Sequence, residues 1–584
     1  MPMALGLGLG LPYIAAASGP YPALDLNFAT MATLDSRITY TGASLATLVN
    51  AAGNIAYKPH NLLTYSGDLS NAVWTKTLGA STTSGSVTIG AGAASEARNI
   101  IYLLTASKTF TASVQIAVAS GTAKFRIKNT HGGVVDNYSS DLTATTTPQW
   151  FSLTVNNAAS AGDGSQTVGI ANASDASSNG VTFLVTGAQL NIGPLQPYYP
   201  TTSAAYYGPR FTYDPVTHAA LGLLIEEQRT NLFLWSRDFS SAAWTKQASA
   251  STAVRNAVGV DGIASSASTI TESAGYFARS VYQPVTGSSG AYSTSVSFQQ
   301  AAGPTRYLRI TVVSGPSDFG YVTVNLKTGA IAQAAAAIGT ASAASATVTY
   351  QPSTGMWRVS LSCTLAAAPT FVFFVPIDAT PVVVAGDYGR DSYTGDGSTS
   401  WVLDAAQFEP GSFATTPIHT TSASVTRAAD SATMTGSNFS SWFNATHGTF
   451  VAQFVVPPLV ASTYKRVFSA RNVADTERVE VWVNGAGTIR IGSTTGGATT
   501  ETSLVAAVSA GQVCKAAASY TAAGMSASLN GGTVYTHSAT VNGAVMTVLD
   551  VGLYDAANHL CAPISRLRYY NTALTNAQLQ ALTT

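Results

Sequence analysis

The sequence predicts an all-β protein of tandem β-sandwich (jelly-roll) domains with an extended N-terminal arm. Helical periodicity is nearly absent, while short alternating runs recur between Gly, Asn, Asp and Ser clusters, as in "TFTASVQIAVAS" (Thr109–Ser120), "RYLRITVVS" (Arg306–Ser314) and "RVEVWVNG" (Arg478–Gly485). A second observation is internal repetition. "NLLTYSGDLSNAVWTK" from Asn61 returns as "NLFLWSRDFSSAAWTK" from Asn231, identical at nine of sixteen positions. Two further echoes follow in the same order: "WFSL" (Trp150–Leu153) against "WRVSL" (Trp357–Leu361), then "VTGAQLNIG" (Val185–Gly193) against "LDAAQFEPG" (Leu403–Gly411). The shared letters include no His or Glu, so a structural unit is repeated rather than a catalytic centre.

Composition bounds the rest. A chain of 584 residues has room for several cores. Only 10% of residues are charged, against about 25% in ordinary globular proteins, so the surface is largely neutral and hydroxyl-rich. Lys plus Arg and Asp plus Glu both number 28, and no run of Lys or Arg occurs, which leaves no electrostatic footprint for nucleic acid. With 46% hydrophobic residues and 26 Tyr, apolar burial is available along the chain. Cys363, Cys514 and Cys561 lack metal-ligand spacing and read as buried thiols, with a Cys514–Cys561 bridge left open.

In chain order, residues 1–57 form the arm and an opening segment. Its start, "MPMALGLGLGLPYIAAAS", is apolar, but the first positive side chain is Arg37, which argues against a signal peptide. It is also too short and too broken by Gly and Pro to span a bilayer as a helix, so no membrane insertion is expected. It reads as an arm docking into a larger assembly or as a disordered terminus. Residues 58–200 and 231–420 are the two repeated sandwiches. Between them, residues 201–230 hold "YDPVTHAAL", a hairpin loop, and "LGLLIEE", a short strand, so the connector is ordered. Residues 421–584 form a third sandwich that ends in the strand "ISRLRYY" and a short helix. Thr575 and Gln578 form a capping box there, with Leu574 and Leu579 at the staple positions. The repeated phrase opens each module: its Leu and aromatic residues pin a first strand, and its Ser and Asp cap the turn before the Trp.

"FTYDPVTHAALGLLIEEQRTNLFLWSRDFSSAAWTK" resembles a module common in bacteriophage and prophage tail, fibre and appendage proteins, closely over Pro209 to Lys246. The sequence that follows resembles a carbohydrate-binding-module jelly roll, and "AAQFEPGSFATTPIHTTSASVTRAAD" (Ala405–Asp430) is similar to its exit into the next domain. "LDLNFATMATLDSRITYTGAS" (Leu24–Ser44) resembles the family's opening segment, except that Gly42 replaces the usual Arg after the Thr. The C-terminal unit resembles the laminin-G/concanavalin A-like fold through its closing strand and helix. The resemblance implies a virion appendage protein, made in the host cytoplasm, that docks on other virion proteins and meets bacterial surface glycans; symmetric self-association, for example as a trimer, would multiply weak contacts.

Sugar binding needs an aromatic face beside fixed hydrogen-bonding groups. Trp74 and Trp244 occupy equal places in the repeats and read as packing residues. Non-repeated aromatics in polar surroundings are the ligand candidates: Tyr388, Tyr393, Tyr464 and Trp482. The loop "GDYGRDSYTGDGSTSW" gathers Asp387, Asp391 and Asp396, an oxygen-rich set that suits Ca²⁺ or, equally, capped turns. No other cofactor is expected. Glu226 and Glu227 are adjacent, so on a strand they point to opposite faces and do not flank a substrate. The seven His residues show no metal spacing, and no nucleophile elbow or phosphate loop stands out. No catalytic residue is therefore expected. An attachment protein is the first reading, with a polysaccharide depolymerase or a purely structural virion component as alternatives.

Overall fold

The computed structural model describes residues 20–584 apart from 93, 103–108, 133–135, 157–164, 248–250, 379–382, 506–507, 539–540 and 555–557. Three antiparallel sandwiches account for most of the described strands, each with its own apolar core. In the first module, one sheet runs Ser81–Thr83, Ser86–Thr88, Thr182–Ile192, Thr109–Val118, Gln149–Asn156. The other runs Trp74–Lys76, Glu96–Tyr102, Ser165–Ala171, Ala123–His131, Leu142–Ala144. Alternation aims Phe110, Ala112, Val114 and Ile116 into the space between the sheets, where they meet Phe125, Ile127, Val168 and Ile170.

The second module repeats both strand orders. Its sheets run Ser251–Ala257, Ala267–Glu272, Ser400–Pro410, Gly290–Ala302, Met356–Leu365 and Thr245–Lys246, Val281–Pro284, Phe371–Ile377, Tyr307–Gly315, Asp318–Asn325. Each then gains one strand: Ser342–Gln351 beside Met356–Leu365, and Ile331–Ile338 beside Asp318–Asn325.

The repeated phrase is the opening of each module and is held identically. Asn61 Nδ2 donates to the carbonyls of Ala188 and Tyr199, and its Oδ1 accepts from the amides of Leu63 and Leu190. Asn231 does the same with Ala406, Ile418, Phe233 and Phe408. The chain then turns through Tyr65 or Trp235, each in the left-handed region at φ 49° and 51°. That aims the carbonyl of each at a buried indole: Trp74 Nε1 donates to Tyr65 and Trp244 Nε1 to Trp235, both at 3.0 Å. Asp68 and Asp238 cap the next turn by accepting from the amides of Ser70 and Ser240. Finally Ser66 Oγ accepts from the amide of Thr201, and Ser236 Oγ from that of Thr420, so each opening latches its own exit.

The third sandwich corrects the expected arm. Its larger sheet runs Phe211–Tyr213, Ala220–Ile225, Ala562–Tyr570, His447–Val455, Val513–Thr521, Gly524–Leu529, Tyr535–His537, and Leu24–Leu26 also pairs with Ala562–Tyr570. Its second sheet begins with Thr39–Thr41, followed by Ser431–Thr435, Val548–Val551, Tyr464–Arg471, Arg478–Asn484, Ile489–Thr495 and Ala498–Val505. Residues 24–41 are thus not part of an extended arm. Leu24, Leu26, Phe28 and Ile38 are buried in the third core, while Asp25 pairs outside with Arg566. The alternation in "LDL" is that of a half-buried strand. The stretch proposed to dock, residues 1–18, lies outside the described residues. The connector is an ordered hairpin, and its Leu223 and Ile225 enter the same core. The two modules are therefore excursions of the chain between strands of one C-terminal sandwich. The terminal helix Asn576–Thr583 carries the capping box at Thr575 and Gln578. All three cysteines are free and buried.

Where the excursions begin and end, charges are buried together. Arg210 Nη1 lies 2.5 Å from Glu226 Oε2, and Arg427 Nη1 lies 2.7 Å from the same oxygen. Arg210 Nη2 also pairs with Asp430 Oδ2, which accepts from the Glu226 amide. Tyr40 Oη donates to Asp430 Oδ1 at 2.6 Å, and Thr416 Oγ1 donates to Glu226 Oε2 at 2.7 Å. Burial pushes the Glu226 carboxyl up, but Arg427 and Arg210 outweigh it and hold it at about 2. Replacing Glu226 removes the carboxylate that Arg427 pairs with and leaves Arg210 to Asp430 alone. Glu226→Gln is expected to cost about 3–5 kcal/mol of stability in urea unfolding, whereas an effect below about 1 kcal/mol would show that the network is not a structural tie. Asn231→Ala removes four hydrogen bonds and should cost about 2–4 kcal/mol in the same measurement.

Candidate functional site

The sequence candidates do not come together. Tyr388 and Tyr393 belong to the second module, Tyr464 and Trp482 to the third sandwich. Tyr393 is buried: its hydroxyl donates to Glu272 Oε2 at 2.6 Å, and its ring packs under Arg279 and Arg306. Trp482 is 2% exposed, roofed by the Arg466 guanidinium 5.0 Å from its ring and seated over Gly492, where a Cβ would approach to 2.6 Å. These two are packing residues and offer no face to a ligand. Glu480, two residues before Trp482, pairs with the Arg466 that roofs it, whereas Tyr393 is buried by groups distant in sequence. Tyr388 is half-buried, tilted against Phe373 at 5.3 Å with Arg390 on its ring. Only Tyr464 presents about half of its surface.

The three aspartates do not form a calcium cage. Asp387 pairs with Arg390. Asp396 accepts from the amides of Ser398 and Thr399, both at 2.7 Å, and from the Thr399 hydroxyl at 2.6 Å. The Thr399 hydroxyl and amide hold its carboxyl well below the usual range. Asp391 adds an electrostatic contact with Arg309. Among the described residues no three His, Cys, Asp or Glu side chains are grouped to hold a metal ion. Glu226 lies in the buried ion network, and Glu227 pairs with Arg229 and Lys465.

A concave surface sits elsewhere, at the seam between the opening segment and the connector. A groove of about 610 Å³ is lined by Leu34, Ile38, Tyr40 and their neighbours on one side and by Ala204–Pro209, with Tyr206 and Tyr207, on the other. Strand Thr39–Thr41 fixes Tyr40, and the short pairing of Tyr206–Tyr207 with His60–Asn61 fixes the opposite wall. Tyr206 stacks on Tyr199 with centroids 4.9 Å apart and planes 15° from parallel. Lys58 lies beneath, its Nζ 5.7 Å from the Tyr40 ring and 5.6 Å from the Tyr207 ring, donating to the Gly42 carbonyl at 2.6 Å. A Cβ at Gly42 would stand 2.9 Å from Tyr40 Oη, 3.0 Å from Lys58 Nζ and 3.1 Å from Asp430 Oδ1. Gly42 therefore stands against a buried lysine and leaves no room for a larger side chain. Sequence reasoning missed Tyr206 and Tyr207. They met its own criterion, aromatics outside the repeat, but lay in a segment assigned to connection.

A smaller cavity of about 120 Å³ lies between the modules, with Tyr57, Gln196, Arg237, Arg255, Asp261 and His419 in its wall. Arg237 is engaged there by Asp404 and Asp261.

No family model matches this chain, and no curated protein matches it. Among solved structures it is similar to a native heptameric SAP-like pentraxin from Limulus polyphemus, at 14% identity over 24% of this chain and 70% of that one, TM-score 0.20. It is similar also to the CBM40 of a Ruminococcus gnavus IT-sialidase, at 15% identity over 25% and 88%, TM-score 0.22. The tandem CBM22-1-CBM22-2 domain of Paenibacillus barcinonensis Xyn10C is 11% identical over 64% and 100%, TM-score 0.20. These similarities are weak, and neither fold nor function is drawn from them.

Lys58 gives the groove floor a pH dependence. Burial pulls its ammonium down to about 7 against the attraction of Asp430. Between about 7 and the ordinary value of 10.5, the unfolded chain holds a proton that the folded one lacks. Stability should therefore rise with pH across that window and be flat in this component below it. Urea unfolding at about pH 7 and about pH 9 should show the rise in the wild type and a smaller one in Lys58→Met. Equal slopes would place the lysine's titration outside that window.

Proposed function

We propose that this chain is a structural bacteriophage appendage protein that attaches to bacterial surface glycans, with the tyrosine groove as a sugar contact. The observation that carries the reading is the groove itself. Pyranose rings present C–H patches and hydroxyls together, and a wall that includes Tyr206, Tyr207 and Tyr40 offers apolar ring faces with polar tips to match. The phage assignment is supported by the resemblance over Pro209 to Lys246, the segment that supplies the connector hairpin and the opening of the second module. The neutral surface suits uncharged polysaccharide, and self-association would multiply weak contacts.

The test is retention of the full-length protein on extracted bacterial surface polysaccharides, with reducing ends assayed in the same samples. Tyr206→Ala should weaken retention about tenfold, or about 1.4 kcal/mol, without changing the circular dichroism spectrum. A wild type that no polysaccharide retains, or retention unaffected by Tyr206→Ala, would refute the groove as a sugar site. New reducing ends would replace the attachment reading with that of a depolymerase.

A further inference from the structure

The two modules are built on one strand order, so each is a control for the other. Gln189 pairs with Ser113 in the first module, and Gln407, its counterpart in the repeated "AQ", pairs with Ser295 in the second. This sets Val114 against Val296, Ala112 against Thr294 and Phe110 against Tyr292. One strand further out, Phe151, Leu153 and Val155 of Gln149–Asn156 then correspond to Val359, Leu361 and Cys363 of Met356–Leu365.

The corresponding residues differ in burial. Val359, Leu361 and Cys363 are 0%, 0% and 2% exposed, with Ser342–Gln351 alongside them and Val322 and Val324 of the facing sheet in the same core. Phe151, Leu153 and Val155 are only half-buried, and Trp150 is 39% exposed. Among the described residues Gln149–Asn156 pairs with Thr109–Val118 alone, so its outer edge is open. The usual protections of an edge are missing. The strand makes eight successive pairs without a bulge, contains no proline, and lies in a stretch with no charged residue between Asp141 and Asp163.

We propose that this edge is a self-association surface, on which Gln149–Asn156 of a second copy pairs antiparallel about a two-fold axis. The two five-stranded sheets would join into one, and the added strand would cover Phe151, Leu153 and Val155 as Ser342–Gln351 covers their counterparts. A second copy is favoured as occupant because an uncharged edge meets itself without repulsion, in a chain of zero net charge. The sister module shows that this sheet accepts a further strand at this position.

The full-length protein should show twice the 60.0 kDa chain mass in light scattering at micromolar concentration. Ser152 and Thr154 are exposed, so Ser152→Lys with Thr154→Lys sets like charges across the two-fold while sparing the core. This variant should weaken dimerisation at least tenfold, whereas Thr347→Lys with Thr349→Lys on the other module's edge should leave it unchanged. Amide exchange of residues 149–156 in the wild type should slow as concentration rises, a readout that does not depend on any variant folding. A wild type that stays at single-chain mass, a dimer that survives the 152/154 substitutions, one lost with the 347/349 substitutions, or exchange independent of concentration would each overturn the proposal.

Discussion

The buried ion network of Arg210, Glu226, Arg427 and Asp430 is the constraint on which the rest of the molecule depends. An unpaired charge in an interior is costly, so these four groups are tolerable only together, with Tyr40 and Thr416 accounting for further lone pairs. Their places along the chain give the network its consequence. Tyr40 precedes the first module, Arg210 and Glu226 flank the connector hairpin, Thr416 closes the second module, and Arg427 and Asp430 open the last run of strands. Satisfying the charges therefore brings every crossing point of the chain to one place.

From that clamp follow both the architecture and the site. The C-terminal sandwich takes Leu24–Leu26, Thr39–Thr41 and the hairpin Phe211–Ile225 as strands, so its sheets close only when the modules have looped out and returned. Each module closes its own loop through the asparagine and serine contacts of the repeated phrase. The groove lies where Tyr40 and Tyr207 meet over Lys58, directly above the clamp. The ions beneath it hold the Tyr40 hydroxyl: burial and Asp430 push its ionisation far above the ordinary range, so it stays a donor.

What could be read from the sequence was what local pattern determines. Alternation gave the sandwich class, the repeated phrase located both module openings, and Thr575 with Gln578 marked the final helix, because each depends on residues a few positions apart. The role of "LDL" could not be read this way. Three residues of alternation are compatible with any strand, and the partner at Arg566–Tyr569 lies at the far end of the chain. Trp482 and Tyr393 misled for a related reason. Polar neighbours in sequence suggested exposure, yet each ring is buried by groups distant in the chain: Arg466 over Trp482, and Glu272 with Arg279 at Tyr393. Tyr206 and Tyr207 became a groove wall only when the opening segment folded opposite them.

The central claim is that residues 24–41 are integral strands of the C-terminal sandwich. Hydrogen exchange on the intact protein, followed by mass spectrometry, tests it most directly. The account predicts that amides of Leu24–Leu26 and Thr39–Thr41 are protected together with those of Ala562–Tyr570 and Ser431–Thr435, and lose protection with them as urea is raised. Rapid exchange over residues 24–41 while Ala562–Tyr570 stays protected would contradict it and restore an arm that merely precedes three independent sandwiches.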